Sequence, residues 1–269
     1  MTGERRHGAL VTHDNNKSSL SAVVASLRAA GCVFAEDEAS LLIDAALTAT
    51  DLARLVEQRV SGLPLEQVLG WAEFCGQRIA IDRGVFVPRR RSEFLVRHAA
   101  AIAQPGAVVV DLCCGSGAIG AALAAVQRIE LHAVDIDPIA VLCARRNVDG
   151  AVYEGDLYEP LPAGLHGRVD VLVANAPYVP TEEIAFMPPE ARLYEPQVAL
   201  DGGVDGLAIQ RRVVAGAPLW LAPAGTLLIE TSGRQAAHTA DIMARVGMAP
   251  RVVKSDELDA TLVIGIRTS

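Results

Sequence analysis

The chain is 269 residues long, carries a net charge of −8 at neutral pH, and is 51% hydrophobic. That length holds one large domain, or one domain with a small accessory unit, and the composition is globular. The acidic balance excludes nonspecific grip on a phosphate backbone, which needs a concentrated basic surface, so no direct nucleic-acid binding is expected.

Residues 1–18 are polar, lack the apolar run of a secretory signal, and are expected to form a flexible leader. Helical spacing begins at Ser19, with Leu20, Val23, Val24 and Leu27 on one face. Leu41, Leu42 and Ala45 mark a second helix, and Leu52, Leu55, Val56 and Val60 a third that ends near Gly62 and Pro64. Residues 19–70 are therefore expected to be a small helical domain. Over residues 71–87 the period falls to two, which reads as a linking β-hairpin. Pro88 ends it, and Ser92 is expected to cap a helix running to Ile102.

From Gly106 strands and helices alternate. Apolar strands are expected at 107–112, 132–136, 169–174, 225–230, 251–253 and 262–266, with a further strand just before Asp156. Buried strands separated by helices imply a parallel sheet covered on both faces. The last two strands are separated by too few residues for a parallel crossover, so they should be antiparallel neighbours. The fold class is α/β: a seven-stranded, doubly wound, Rossmann-like sheet over 88–269 whose last strand is antiparallel. The apolar stretch 213–229 is interrupted by Gly216, Pro218, Pro223 and Gly225, so no membrane span is expected. Five cysteines without CxxC spacing argue against a disulfide framework and against a zinc site. They read as reduced packing residues of a cytoplasmic protein, with no metal expected.

Two turns carry chemistry. Asp111-Leu112-Cys113-Cys114-Gly115-Ser116-Gly117 is a strand entering a glycine turn ahead of a helix, where backbone can approach a ligand closely. About twenty residues on, Asp135 ends the next strand, where a carboxylate can accept both hydroxyls of a ribose. Ile136 follows it, and Asp156 and Leu157 follow the third strand, suited to an adenine amino group and ring. These features point to a nucleoside cofactor and leave NAD open, because Gly120 completes a dinucleotide-type spacing.

The second turn, Asn175-Ala176-Pro177-Tyr178 after the fourth strand, is similar to the Asn-Pro-Pro-Tyr motif of methyltransferases acting on planar amino groups. An amide nitrogen is a poor nucleophile because its lone pair is delocalised into the carbonyl. The Asn175 side-chain oxygen and the Ala176 carbonyl could hold both its N–H groups, with Tyr178 against the planar substrate. Fixed dipoles of this kind stabilise developing positive charge without reorganisation.

With these motifs the chain resembles the PrmC/HemK family of protein glutamine-N5 methyltransferases. Gly62-Leu63-Pro64-Leu65-Glu66-Gln67 resembles the family's linker, and Phe86-Val87-Pro88-Arg89-Arg90-Arg91-Ser92-Glu93 its Pro-Arg-Pro-Glu-Thr-Glu stretch. Tyr194-Glu195-Pro196-Gln197 through Asp205-Gly206-Leu207 resembles the segment after the catalytic loop. The resemblance implies S-adenosyl-L-methionine as cofactor, held by Asp111, Cys113, Cys114, Gly115, Ser116, Gly117, Asp135, Ile136, Asp156, Leu157 and Asn175. It implies catalysis by Asn175, Ala176, Pro177 and Tyr178 on a glutamine of a protein partner, a peptide-chain release factor or another translation-related protein. The N-terminal helices would dock that partner. Cys113-Cys114 in place of Gly-Thr, Ala176 in place of proline, and Arg90-Arg91 in place of Pro-Glu mark a divergent member. Two alternatives share these features: an adenine-N6-type nucleic-acid amino-methyltransferase and a non-catalytic cofactor-binding module.

Overall fold

The computed structural model describes residues 8–268, with side chains from Ser19 onward. By internal contacts the chain divides into two compact units, residues 1–70 and 71–269.

The first unit contains α1 (Gly8–Ala29), α2 (Ala35–Ala45), α3 (Ala49–Val60) and the short α4 (Leu65–Leu69). Residues 1–7 of the expected leader lie outside the described residues, but 8–18 are helical, so the helix starts well before Ser19. The stretch contains no proline, and adding turns to an existing helix is cheap once the nucleus has formed. Val23, Leu27, Ala39, Leu42, Leu55 and Val68 form one apolar core. Beside it the buried Arg59 donates from Nε to Glu38 Oε2 at 2.6 Å, and from Nη2 to Glu38 Oε1 at 3.1 Å. This two-pronged pair fixes α3 against α2. Thr48 caps α3, its hydroxyl accepting from the Asp51 N–H at 3.1 Å, while the Asp51 carboxylate accepts from the Leu47 N–H at 3.2 Å. Thr48→Ala should cost about 1 kcal/mol of the helical unit's stability. Urea unfolding followed by circular dichroism, with no shift of the midpoint, would remove the cap from that role.

The second unit opens with a hairpin of β1 (Trp71–Phe74) and β2 (Gln77–Ala80). Its two-residue turn is Cys75-Gly76, both at positive φ, as a type I′ connection requires. The β-ladder stops at Ala80, so the remainder of the expected hairpin stretch lies outside the strands.

The 3₁₀ turn Arg90–Ser92 then leads into α5 (Glu93–Ile102). Ser92 does not cap it. The residue sits in the right-handed helical region and its side chain makes no capping hydrogen bond. The preceding 3₁₀ turn already carries the chain into the helix, which frees the hydroxyl for other partners.

The sheet follows: β3 (Val108–Leu112), α6 (Ala118–Val126), β4 (Glu130–Asp135), α7 (Pro138–Asn147), β5 (Ala151–Glu154), β6 (Val169–Ala174), α8 (Pro189–Tyr194), α9 (Ala208–Trp220), β7 (Leu221–Thr231), α10 (Ala236–Arg245), β8 (Met248–Ser255) and β9 (Ala260–Arg267). Its order is β5-β4-β3-β6-β7-β9-β8. The first five of these strands are parallel, β9 is antiparallel to both β7 and β8, and the sheet is the doubly wound form expected. Side chains alternate between two apolar layers, Val109, Val171, Val173 and Leu228 on one face, Val110, Leu112, Leu172 and Ile229 on the other. The chain winds outward from β3 to β5, then returns to place β6 on the other flank of β3. That reversal opens a crevice at the carboxyl ends of β3 and β6, the position where open α/β sheets bind ligands. Among the described residues no helix is long and apolar enough to cross a membrane.

Candidate active site

The glycine turn leaves β3 with Cys113 at φ 56 and continues through Gly115 at φ 55 and Gly117 at φ 77. A Cβ on Gly117 would meet Val148 Cγ2 at 2.5 Å, so the turn packs onto the end of α7 only because that position lacks a side chain. Cys113 holds a left-handed conformation that glycine adopts without penalty, at a cost of about 1 kcal/mol. The Cys113 and Cys114 thiols are pushed well above their ordinary range, first by burial and then by nearby carboxylates, which leaves them poorly nucleophilic. Asn147 secures the turn from behind, donating from Nδ2 to the Ser116 carbonyl at 2.8 Å and to the Ala80 carbonyl at 2.9 Å. Ser116 itself is buried.

Asp135 stands at the end of β4 facing this turn. Its Oδ2 accepts from the Gly115 N–H at 2.7 Å and its Oδ1 from the Asp137 N–H at 2.9 Å. Burial raises its pKa, and these N–H groups oppose the rise. Ile136, next in the chain, is 50% exposed, an apolar face open toward solvent. After β5, Leu157 is buried at φ 52, and Asp156 is paired through Oδ2 with Arg212 Nη2 at 2.7 Å. A nucleoside cofactor fits these residues. The glycine cradle admits close approach, since nothing stands within 4 Å of where a Cβ on Gly115 would lie.

Asp111 has no exposed surface and lies behind the turn, its Oδ2 accepting from the Gly120 N–H at 3.0 Å. Burial pushes its carboxyl up to about 7, the Gly120 bond opposes this, and the Asp135 charge adds to it. An acid with a raised folded pKa keeps its proton in the native state over a window where the unfolded chain has released it. Stability therefore falls as pH rises from about 4 to about 7. Asp111→Asn keeps an acceptor for Gly120 and should flatten this slope, leaving the variant more stable than the parent at pH 8 by on the order of 3 kcal/mol. Guanidinium unfolding at pH 5 and pH 8 measures the difference, and parallel slopes for the two proteins would contradict it.

The loop after β6 stands across the crevice. Asn175 donates from Nδ2 to Ser92 Oγ at 3.2 Å. Among the described residues nothing donates to Asn175 Oδ1 or to the Ala176 carbonyl, so both expected acceptors are unspent. The Ala176 and Pro177 side chains are buried. Tyr178 turns its hydroxyl to Glu230 Oε1 at 3.5 Å, and burial together with the Glu230 charge pushes its phenol up to about 12. Its carbonyl accepts from Gln235 Nε2 at 3.0 Å, and the same amide donates to the Asp205 carbonyl at 3.0 Å.

Arg89 pairs through Nη2 with Glu195 Oε2 at 2.6 Å. Glu195 Oε1 accepts from the Val87 N–H at 3.1 Å, which joins the chain before α5 to the segment beyond the 175–178 loop. Sequence reasoning missed Asn147, Glu195, Glu230 and Gln235. Of these only Glu195 fell within a stretch that the resemblance had marked, residues 194–207. Among the described residues no group of three His, Cys, Asp or Glu side chains could hold a metal ion.

The model of the family described as "Methyltransferase small domain" matches residues 78–188. The release factor glutamine methyltransferase of Geobacter sulfurreducens is 37% identical over 219 residues, covering 79% of this chain and 76% of that protein. That of Streptomyces coelicolor is 38% identical over 189 residues, 67% of each chain. A methyltransferase structure from Pyrococcus furiosus aligns with a TM-score of 0.55 at 15% identity, over 82% of this chain and 100% of that one. The E. cuniculi Mtq2–Trm112 complex, which methylates the eRF1 termination factor, aligns with a TM-score of 0.52 at 20% identity, over 69% and 99%. At these identities the structural likeness is one of fold.

Proposed function

The chain belongs to the release factor glutamine methyltransferase family, and on that premise we propose that it methylates the side-chain amide nitrogen of a glutamine in a protein partner, using S-adenosyl-L-methionine. The observation that carries this reading is the pair of unspent acceptors, Asn175 Oδ1 and the Ala176 carbonyl, at the carboxyl edge of the sheet beside the glycine turn. Bound S-adenosyl-L-methionine supplies an electrophilic methyl group on a sulfonium. Cys113 to Gly117, Asp135, Ile136, Asp156 and Leu157 would hold it, with Asp111 supporting the turn from behind.

Asn175 and Ala176 each accept one N–H of the glutamine amide, which fixes the plane of the NH2 group and draws electron density onto nitrogen. Alignment of this kind is worth on the order of 7–11 kcal/mol in favourable intramolecular cases. As the nitrogen–carbon bond formed and the carbon–sulfur bond of the sulfonium broke, the positive charge passing to nitrogen would meet two fixed oxygen dipoles that need no reorganisation. The extra proton then leaves to solvent, since an N-alkylated amide cation is a strong acid. Pro177 holds Ala176 extended so that its carbonyl stays directed at the substrate.

The partner is a peptide-chain release factor presenting a Gly-Gly-Gln motif, docked by the helices of residues 19–70, and the reaction takes place in the cytoplasm. The test is transfer from labelled S-adenosyl-L-methionine to purified release factor, to a ribosomal protein fraction and to total RNA, each alone. Label confined to glutamine of the release factor is the expected result. Label in RNA alone would establish an amino-methyltransferase of nucleic acid instead, and cofactor binding with no transfer would establish a non-catalytic module.

A further inference from the structure

An amide side chain has two ends, and only one serves this reaction. If Asn175 presents Oδ1 it accepts an N–H of the substrate; if it presents Nδ2, donor meets donor and the glutamine is repelled. Backbone geometry does not distinguish the two, because they differ by a half-turn of one torsion. The groups behind Asn175 must make the choice.

Those groups are Ser92 and Glu230. Asn175 Nδ2 donates to Ser92 Oγ at 3.2 Å. Ser92 is 2% exposed and has a single proton to give, with no bulk water to take it. Beside it stands the carboxylate of Glu230, 1% exposed, at the end of β7, whose ionised form the Ser92 hydroxyl favours. An ionised carboxylate accepts and never donates, so the Ser92 proton goes to Glu230 and its lone pair is left for Asn175. The order Asn175 to Ser92 to Glu230 thus follows from one negative charge.

We propose that Ser92 and Glu230 are positioning residues that lock the Asn175 amide with Oδ1 facing the substrate, and that the lock holds only while Glu230 is ionised. This rests on the glutamine methyltransferase reading of the same site. A second feature of Glu230 supports a role other than stability. Its Oε2 is buried without a hydrogen-bond partner, a cost that a residue kept for packing would not carry. The Tyr178 hydroxyl donates to Oε1 at 3.5 Å, so the same carboxylate also meets the far end of the 175–178 loop.

The charged surroundings of Glu230 are few. Arg91, from the 3₁₀ turn before α5, favours its ionised form, as do the hydroxyls of Ser92 and Tyr178, while burial is the larger influence and raises its pKa. Across the β7–β9 ladder it faces Leu262, which carries no charge, and Arg89 acts on Tyr178. When Glu230 takes up a proton it becomes a donor. Ser92 then has its own proton free for Asn175, and Oδ1 turns inward to accept it. Because the pKa is raised, this reversal occurs at a higher pH than for an ordinary glutamate.

Glu230→Gln, Ser92→Ala and Ser92→Thr test the lock in the full-length chain. Glu230→Gln should lower kcat at least tenfold, leave the KM for S-adenosyl-L-methionine unchanged, and abolish the acid limb of the pH–rate profile. It should do so without lowering Tm, since the buried charge is gone. Ser92→Ala should lose activity likewise, and Ser92→Thr should restore it, because only the hydroxyl is needed. A kcat within twofold of the parent in Glu230→Gln, or an acid limb that persists in it, would overturn the proposal. So would a threonine variant as inactive as the alanine one.

A measurement independent of turnover separates this idea from the function itself. The side-chain ¹⁵N resonance of Asn175, assigned by its loss in Asn175→Ala, should shift with pH in the parent and stay fixed in Glu230→Gln. A shift of equal size in both would sink the lock even in an active enzyme. The expected contrast in a chain that modifies no release factor would uphold the lock and overturn the function.

Discussion

Replacing Asn175 with alanine lowers the rate of methyl transfer by about 10²- to 10³-fold, the loss typical of removing one fixed group that stabilises charge in a transition state. Its cofactor affinity changes by less than about tenfold, or about 1.4 kcal/mol. The asymmetry follows from where the residue stands. Its Nδ2 is committed to Ser92, its Oδ1 is free, and the glycine turn is held by Asp135 and Asn147 instead. The variant also leaves Ser92 without a donor, but the serine can still give its proton to Glu230, so no buried donor is stranded. Equilibrium binding of S-adenosyl-L-methionine and single-turnover transfer to release factor measure the two effects separately. Turnover within threefold of the parent would take Asn175 out of the reaction, and a collapse of cofactor binding would make it a cofactor ligand first.

The sequence speaks clearly where the physics is local. Strand and helix periods locate the sheet, and the short connection before β9 dictates its antiparallel pairing. The glycine turn and the Asn175 loop each follow a strand directly. In a doubly wound sheet that is enough to set both at the carboxyl edge, since β3 and β6 are neighbours in space. What could not be read is everything that depends on partners distant along the chain. Ser92 looks like a helix cap because a serine before an apolar run usually is one. Its actual neighbour, Asn175, is 83 residues away. Arg89 stands beside Arg90 and Arg91, and nothing local shows that its partner is Glu195, 106 residues on. Glu230 reads as the polar end of an apolar strand, and only the strand order places it beside Tyr178. The start of α1 failed for a different reason. Polar composition argues for a leader, but it does not stop a helix already propagating from an apolar face.

A single methyl group at Gly206 tests how far the 175–178 loop, proposed to be catalytic, depends on a neighbour outside it. Gly206 has φ 72, and a Cβ there would overlap the Tyr178 carbonyl oxygen and the Gln235 side-chain amide. The amide could swing aside, losing its bonds to the Tyr178 and Asp205 carbonyls. The carbonyl oxygen is backbone and cannot move without carrying the 175–178 loop with it. Gly206→Ala therefore adds two costs, a left-handed alanine of about 1 kcal/mol and a displaced loop. A shift of about 1 Å at a reacting group is enough to lower a rate about 10²-fold. The glycine turn lies across the crevice on β3, so cofactor affinity should be preserved. Gln235→Ala is the milder change, because it removes the same two hydrogen bonds but adds no overlap and lets water reach the carbonyls. The expected ranking is Gly206→Ala well below Gln235→Ala in transfer rate, with both binding S-adenosyl-L-methionine as the parent does. If Gly206→Ala turned over within threefold of the parent, the contact between residue 206 and Tyr178 would have no part in holding the loop. The reaction's geometry would then have to be fixed from the Ser92 and Glu230 side alone.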